Sequence, residues 1–137
     1  MNYLTTEDGK AIRQDNPLPV SNYKSAAISA ATLGLNTVTA TTTSNEIDAR
    51  GFNAVLIKIT LDAAANWTTK LQGCFNSGGT FVDLYEQANT GAMVQMSYQC
   101  NSSRMILFKG IPDYIKIVAT EDADGAKYSA EVQLLNV

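Results

Sequence analysis

The chain has 137 residues, 45% of them hydrophobic and 17% charged, with a formal charge of -3. That length fits one domain with a real core, and the small net charge gives no electrostatic reason to expect nucleic acid or an anionic membrane as partner. Histidine is absent, which removes the commonest general base and metal ligand and the usual partner of a Ser or Cys nucleophile.

Residues 1–25 are polar, turn-rich and punctuated by proline, with no apolar period. Asp8-Gly9 is a turn signal. In Asn16-Pro17-Leu18-Pro19-Val20 the prolines fix two φ angles and push Asn16 and Leu18 towards extended backbone. Tyr3, Leu4, Ile12, Leu18, Val20 and Tyr23 are apolar residues spaced along a segment that, as a mere solvated linker, has little use for them. The reading is an extended N-terminal arm, with residues 16–20 as its anchor, followed by one domain over residues 26–137. No basic stretch followed by an apolar one opens the chain, so no signal peptide is expected, and no run approaches the ~18 apolar residues of a membrane span.

Residues 26–35 suit a short helix or a strand equally: alanine favours the helix, Gly34 and the short length do not. Residues 36–44 are rich in β-branched side chains and are predicted to be a half-exposed strand. Residues 45–51 form a connection that holds Ile47 as a core anchor. Residues 52–61 alternate cleanly, with Val55, Ile57, Ile59 and Leu61 on one face and Leu56, Lys58 and Thr60 on the other. Residues 67–75 follow, with Trp67, Thr69, Leu71, Gly73 and Phe75 sharing a face. Asn76-Ser77-Gly78-Gly79 has hairpin chemistry, and residues 80–86 are expected to return antiparallel. Further strands are predicted at 93–100, 104–109, 114–120 and 128–135, the last placing Tyr128, Ala130, Val132 and Leu134 inward. Asp122-Ala123-Asp124-Gly125 reads as another hairpin turn. The total of about eight or nine strands at this spacing predicts an all-β fold, a single antiparallel β-sandwich of jelly-roll type.

Candidate chemistry is sparse. Asp122, Asp124, Gly125 and Glu131 fall at calcium-loop spacing, but Thr120 stands where the motif wants Asp and Glu131 lies inside a predicted strand. Asp62, Asp83, Glu86 and Asp113 sit near strand ends, where carboxylates are usually solvated. Cys74 and Cys100 are either two buried thiols or one cross-strand disulfide. The aromatic residues are expected to pack the core. The alternative is an exposed row for sugar binding, with Trp67 or Tyr85 as platform.

Three stretches resemble small virion proteins of tailed phages: Asp8-Gly9 with Asn16 to Val20, Leu71-Gln72-Gly73 with Gly78 to Leu84, and Gly110-Ile111-Pro112-Asp113 running into Tyr114 to Ile117. The resemblance implies a non-enzymatic structural protein of the particle, assembled in the host cytoplasm. Capsid decoration or a head fibre docked through the arm comes first; a tail or baseplate module and a carbohydrate-binding module are the alternatives. It implies no cofactor and no catalytic residue. It implies other virion proteins as partners, such as the major capsid protein or the portal and tail proteins, and a homo-oligomer, for example a trimer.

Overall fold

The computed structural model describes residues 25–137. The arm anchor Asn16, Pro17, Leu18, Pro19 and Val20 lies outside the described residues.

In chain order the elements are β1 (Ser25–Ile28), α1 (Ala30–Leu33), β2 (Thr42–Thr43), β3 (Ile47–Asp48), β4 (Ala54–Leu61), β5 (Trp67–Cys74) and β6 (Val82–Asp83). They continue with β7 (Tyr85–Gln87), β8 (Met93–Gln95), β9 (Ser97–Cys100), β10 (Arg104–Lys109), β11 (Tyr114–Glu121) and β12 (Tyr128–Leu135). One sheet has the order β1-β12-β4-β10. The facing sheet is built on β11 and β5: β2 and β3 lie along β11, and β6 and β9 along β5. Strands β7 and β8 form a separate two-stranded ribbon. Every pairing is antiparallel. This is the all-β sandwich that the alternating pattern predicts. The strands beyond the expected eight or nine are pieces of two or three residues along sheet edges and in the ribbon.

The chain crosses between sheets at 29–41, 49–53, 62–66, 101–103, 110–113 and 122–127. The last of these corrects the hairpin expected at Asp122–Gly125. Strands β11 and β12 are consecutive but belong to different sheets, so the turn carries the chain over the end of the sandwich. A second correction concerns residues 36–44, where only Thr42–Thr43 is strand. Residues 26–35 divide between both expectations. Strand β1 is followed by one helical turn, capped by the Ser29 hydroxyl accepting the Thr32 N–H at 3.2 Å and stopped by Gly34 at φ 77°. That φ is left-handed and suits a residue with no Cβ. The turn buries Leu33, and Leu35 follows it into the core.

Alternation decides the interior. Val55, Ile57 and Ile59 of β4 and Tyr128, Ala130, Val132 and Leu134 of β12 point inward and are buried. Trp67, Thr69 and Leu71 of β5 and Ile115, Ile117 and Ala119 of β11 meet them from the facing sheet. The two layers are joined at one point by rings and hydroxyls together. Trp67 on β5 stacks on Tyr128 on β12 with ring centroids 5.0 Å apart and planes 28° apart. The Tyr128 hydroxyl lies 2.6 Å from the Thr69 hydroxyl, which satisfies both groups inside the core. Burial pushes the Tyr128 phenol well above its ordinary range. The Trp67 indole N–H is buried without a partner.

A smaller device closes the second sheet. Between β2 and β3 the pairing along β11 is interrupted, and Ser44 fills the gap. Its N–H donates to the Ile117 carbonyl at 2.8 Å, and its hydroxyl accepts the Ile117 N–H at 2.9 Å.

Replacing Trp67 with Ala is expected to cost about 3–5 kcal/mol of unfolding free energy, from lost burial plus a cavity. Tyr128→Phe is expected to cost about 1–3 kcal/mol, because it leaves the Thr69 hydroxyl buried and unpaired. Urea unfolding followed by tryptophan fluorescence for Tyr128→Phe, and by circular dichroism for Trp67→Ala, measures both.

Candidate docking site

The two ends of the sandwich differ. At the end where Ser25 enters, Ser25 pairs with Leu135, Leu135 with Ala54, and Ala54 with Lys109. On the facing sheet the same end holds Asp48, Tyr114 and Cys74 in register. The opposite end carries Leu61, Trp67, Cys100 and Tyr128.

The register settles the cysteines. Cys74 closes β5, while Cys100 pairs opposite Trp67 at its start. Seven residues of strand put them ~23 Å apart, far beyond the reach of a disulfide. Both are free thiols; Cys100 is buried and Cys74 half-buried. Burial pushes the Cys100 thiol up.

At the Ser25 end, β5 runs out into residues 75–81, and an apolar cleft opens beside them. Its volume is about 530 Å³, and Phe75, Val82, Leu84, Ile111 and Pro112 line it. Its floor is the backbone of Gly73. A Cβ there would lie 2.5 Å from Pro112 Cγ and 2.8 Å from Leu84 Cδ2, so glycine is what lets both side chains lie against the strand. Phe75 is 83% exposed and Val82 60% exposed. Period two places Phe75 inward with Trp67, Thr69 and Leu71. The strand ends at Cys74, however, and the turn that follows carries Phe75 out to solvent.

That turn is fixed in place. The Glu46 carboxylate accepts the Ser77 hydroxyl at 2.5 Å and the Gly78 N–H at 2.7 Å. These two bonds hold the Glu46 carboxyl below its ordinary range, the Ser77 bond first. Gly78 has φ 73°, a conformation that L side chains rarely adopt. At the rim, the Arg50 guanidinium pairs with Asp48 at 2.8 Å and sits 5.5 Å from the centre of the Tyr114 ring.

The outer face of the second sheet is polar and internally satisfied. Asp83 accepts from Gln72 at 3.0 Å and Gln95 at 2.9 Å and pairs with Lys70 at 3.0 Å. The Gln72 and Lys70 bonds draw its carboxyl below the ordinary range. Lys116 lies 4.6 Å from the centre of the Phe81 ring.

The other sequence candidates do not converge. Glu131 lies in the middle of β12 and pairs with Lys58 at 3.6 Å, away from the Asp122–Gly125 turn. Asp122 accepts from Thr68 and Gln99. Glu121 is raised by burial and by Asp124 beside it. Among the described residues no three Asp, Glu, Cys or His side chains are grouped to hold a metal ion. Asp62 caps the Lys127 N–H at 2.7 Å at one end of the sandwich, and Asp113 stands at the other. Trp67 is fully buried, which removes it as a sugar platform, whereas Tyr85 is 51% exposed on β7. The expectation that the aromatic residues pack the core is corrected for Phe75, Tyr85 and Tyr98, which are exposed. No helix among the described residues is long and apolar enough to cross a membrane.

No protein-family model matches the chain, and no curated protein matches it. Among solved structures, the crystal structure of the SPBc2 prophage-derived protein YomS is similar. It is 10% identical, with a TM-score of 0.61, and the match covers 88% of this chain and 100% of that one. The two chains share a fold. The coat protein of Tobacco streak virus is matched at 13% identity with a TM-score of 0.38, over 88% of this chain and 90% of that one.

The Glu46 bonds have a pH signature. A carboxylate whose folded pKa is depressed contributes stability above its unfolded pKa and loses it as pH falls through the folded pKa. Glu46→Gln is therefore expected to lower the thermal midpoint at neutral pH. The difference from the parent chain is expected to shrink as pH drops below the ordinary carboxylate range. The same substitution is expected to speed hydrogen exchange at the Gly78 amide, read by NMR at neutral pH.

Proposed function

We propose that this chain is a non-catalytic structural protein of a tailed-phage particle, of the capsid-decoration or head-fibre type, with residues 1–24 as its docking arm. The observation that carries the reading is the apolar cleft with its projecting Phe75, held at the end of the sandwich where the arm enters. An exposed aromatic fixed by a rigid turn beside an apolar pocket is the anatomy of a protein–protein anchor. No carboxylate lines the cleft.

Two further facts support the reading. The fold is shared over the whole length of a prophage-derived protein. The stretches that resemble phage virion proteins, Leu71–Gly73, Gly78–Leu84 and Gly110–Ile117, line or flank the cleft. The glycan-binding alternative loses one of its two candidate platforms with the burial of Trp67.

The partner is then other virion proteins, and the place of action is the particle. The arm anchors by its extended backbone and by Leu18, Pro19 and Val20, as an added strand or polyproline ribbon does in a receiving groove. Purified particles are expected to carry the chain on their surface, visible by immunogold labelling. A chain starting at Ser25 is expected to keep its circular-dichroism spectrum and to be missing from particles. Particles that lack the full chain, or that take up the truncated one equally well, would sink the reading.

A further inference from the structure

The cleft at the Ser25 end has no occupant among the described residues, and its chemistry narrows what fits. Its apolar walls are Phe75, Val82, Leu84, Ile111 and Pro112; Cys74, Asn76 and Thr80 complete the lining, and no Asp, Glu, Lys or Arg side chain lines it. Aromatic and proline walls of this kind suit a short extended apolar segment held by prolines, because such a segment arrives with little entropy left to lose. The chain contains one stretch of that kind outside the described residues, Pro17-Leu18-Pro19-Val20. The prolines at 17 and 19 fix φ there.

Chain length decides whose segment it is. From Ser25 the cleft lies across three strand spacings, through Leu135 and Ala54 to Lys109, roughly 14 Å. The Phe75 wall stands on the facing sheet, a further ~10 Å across the sandwich. The straight path is therefore roughly 17 Å, and the five Cα steps from Val20 to Ser25 span ~17 Å fully extended. Nothing is left over for a detour. Asn53 bridges the Leu135 and Gly110 backbones along that line, its N–H donating to the Leu135 carbonyl and its carbonyl accepting from Gly110, and its side chain is bonded to Val137. A neighbouring copy has no such limit.

We infer that the cleft receives the Pro17–Val20 segment of a second copy of this chain. Rested on the assembly reading above, this names the acceptor for the arm. The contact is heterologous, because the donated segment and the receiving cleft are different surfaces. Each copy can therefore give one arm and take one, which closes as a reciprocal dimer or as a ring. Phe75 is the central anchor. The Glu46 bonds to Ser77 and Gly78 hold its turn in the receiving position before the arm arrives, which lowers the ordering cost of association.

The test uses the full-length chain in sedimentation velocity over a concentration series. The parent chain is expected to self-associate. Leu18→Asp and Phe75→Asp are each expected to weaken that association by roughly tenfold or more, as loss of an interface anchor does. Phe75 is 83% exposed, so the second variant is expected to keep the parent's thermal midpoint. The deciding step is to mix the two. The Leu18→Asp chain keeps an intact cleft and the Phe75→Asp chain an intact arm, so the mixture is expected to form a 1:1 dimer that neither makes alone. A parent chain that stays monomeric throughout, a Phe75→Asp chain that associates as the parent does, or a mixture that stays monomeric would each overturn the inference. The assembly reading is judged separately, by the presence of the chain on purified particles.

Discussion

The contact between Trp67 and Tyr128 is the constraint on which the rest of the structure depends. The two rings belong to different sheets, so their stacking at 5.0 Å sets how the layers sit on each other at the end opposite Ser25. The Thr69 hydroxyl completes the joint by meeting the Tyr128 hydroxyl in the core, where an unpaired hydroxyl would be costly. Tyr128 also pairs through its backbone with Val38, which ties the loop before β2 to the same point. Once that end is locked, β4, β5, β11 and β12 can carry the aliphatic core as plain alternating strands. The opposite end needs no large buried ring, and it is there that the cleft opens.

The cleft depends on residues that give up core packing. Gly73 interrupts an otherwise side-chain-bearing inward face so that Pro112 and Leu84 can approach the β5 backbone. Phe75 leaves that face altogether, and the exposure of so large a ring at 83% carries a solvation cost that the fold itself does not recover. The carboxylate that holds the turn comes from Glu46, in the connection between β2 and β3, about thirty residues earlier in the chain. Edge segments thus shape the surface while the central strands hold the core.

Much of the core was legible from alternation. The inward sets of β4 and β12 follow from a period of two and are buried except Leu61, which is half-buried, and the Ile47 anchor in the connection is buried as well. Strand partners were not legible in the same way. Asp122–Gly125 has the chemistry of a hairpin turn, yet it links strands of opposite sheets, because turn residues specify a change of direction and not which strand lies alongside. Phe75 was assigned inward for a related reason: period two continues on paper past Cys74, whereas the strand stops there. The role of Glu46 had no sequence signal, since one carboxylate in a polar connection looks like any other. The glycines at 73 and 78 were visible, and a glycine on an inward strand face was the available hint of a close approach.

Local chemistry and periodicity were enough to dictate an all-β sandwich and most of its inward residues, because side-chain alternation and glycine backbone limits act within a few residues. Sheet membership, the separation of Cys74 from Cys100 and the cleft beside Phe75 came from packing. Each depends on which distant strands hydrogen-bond to one another, and that choice is made by the collective fit of two sheets around Trp67 and Tyr128.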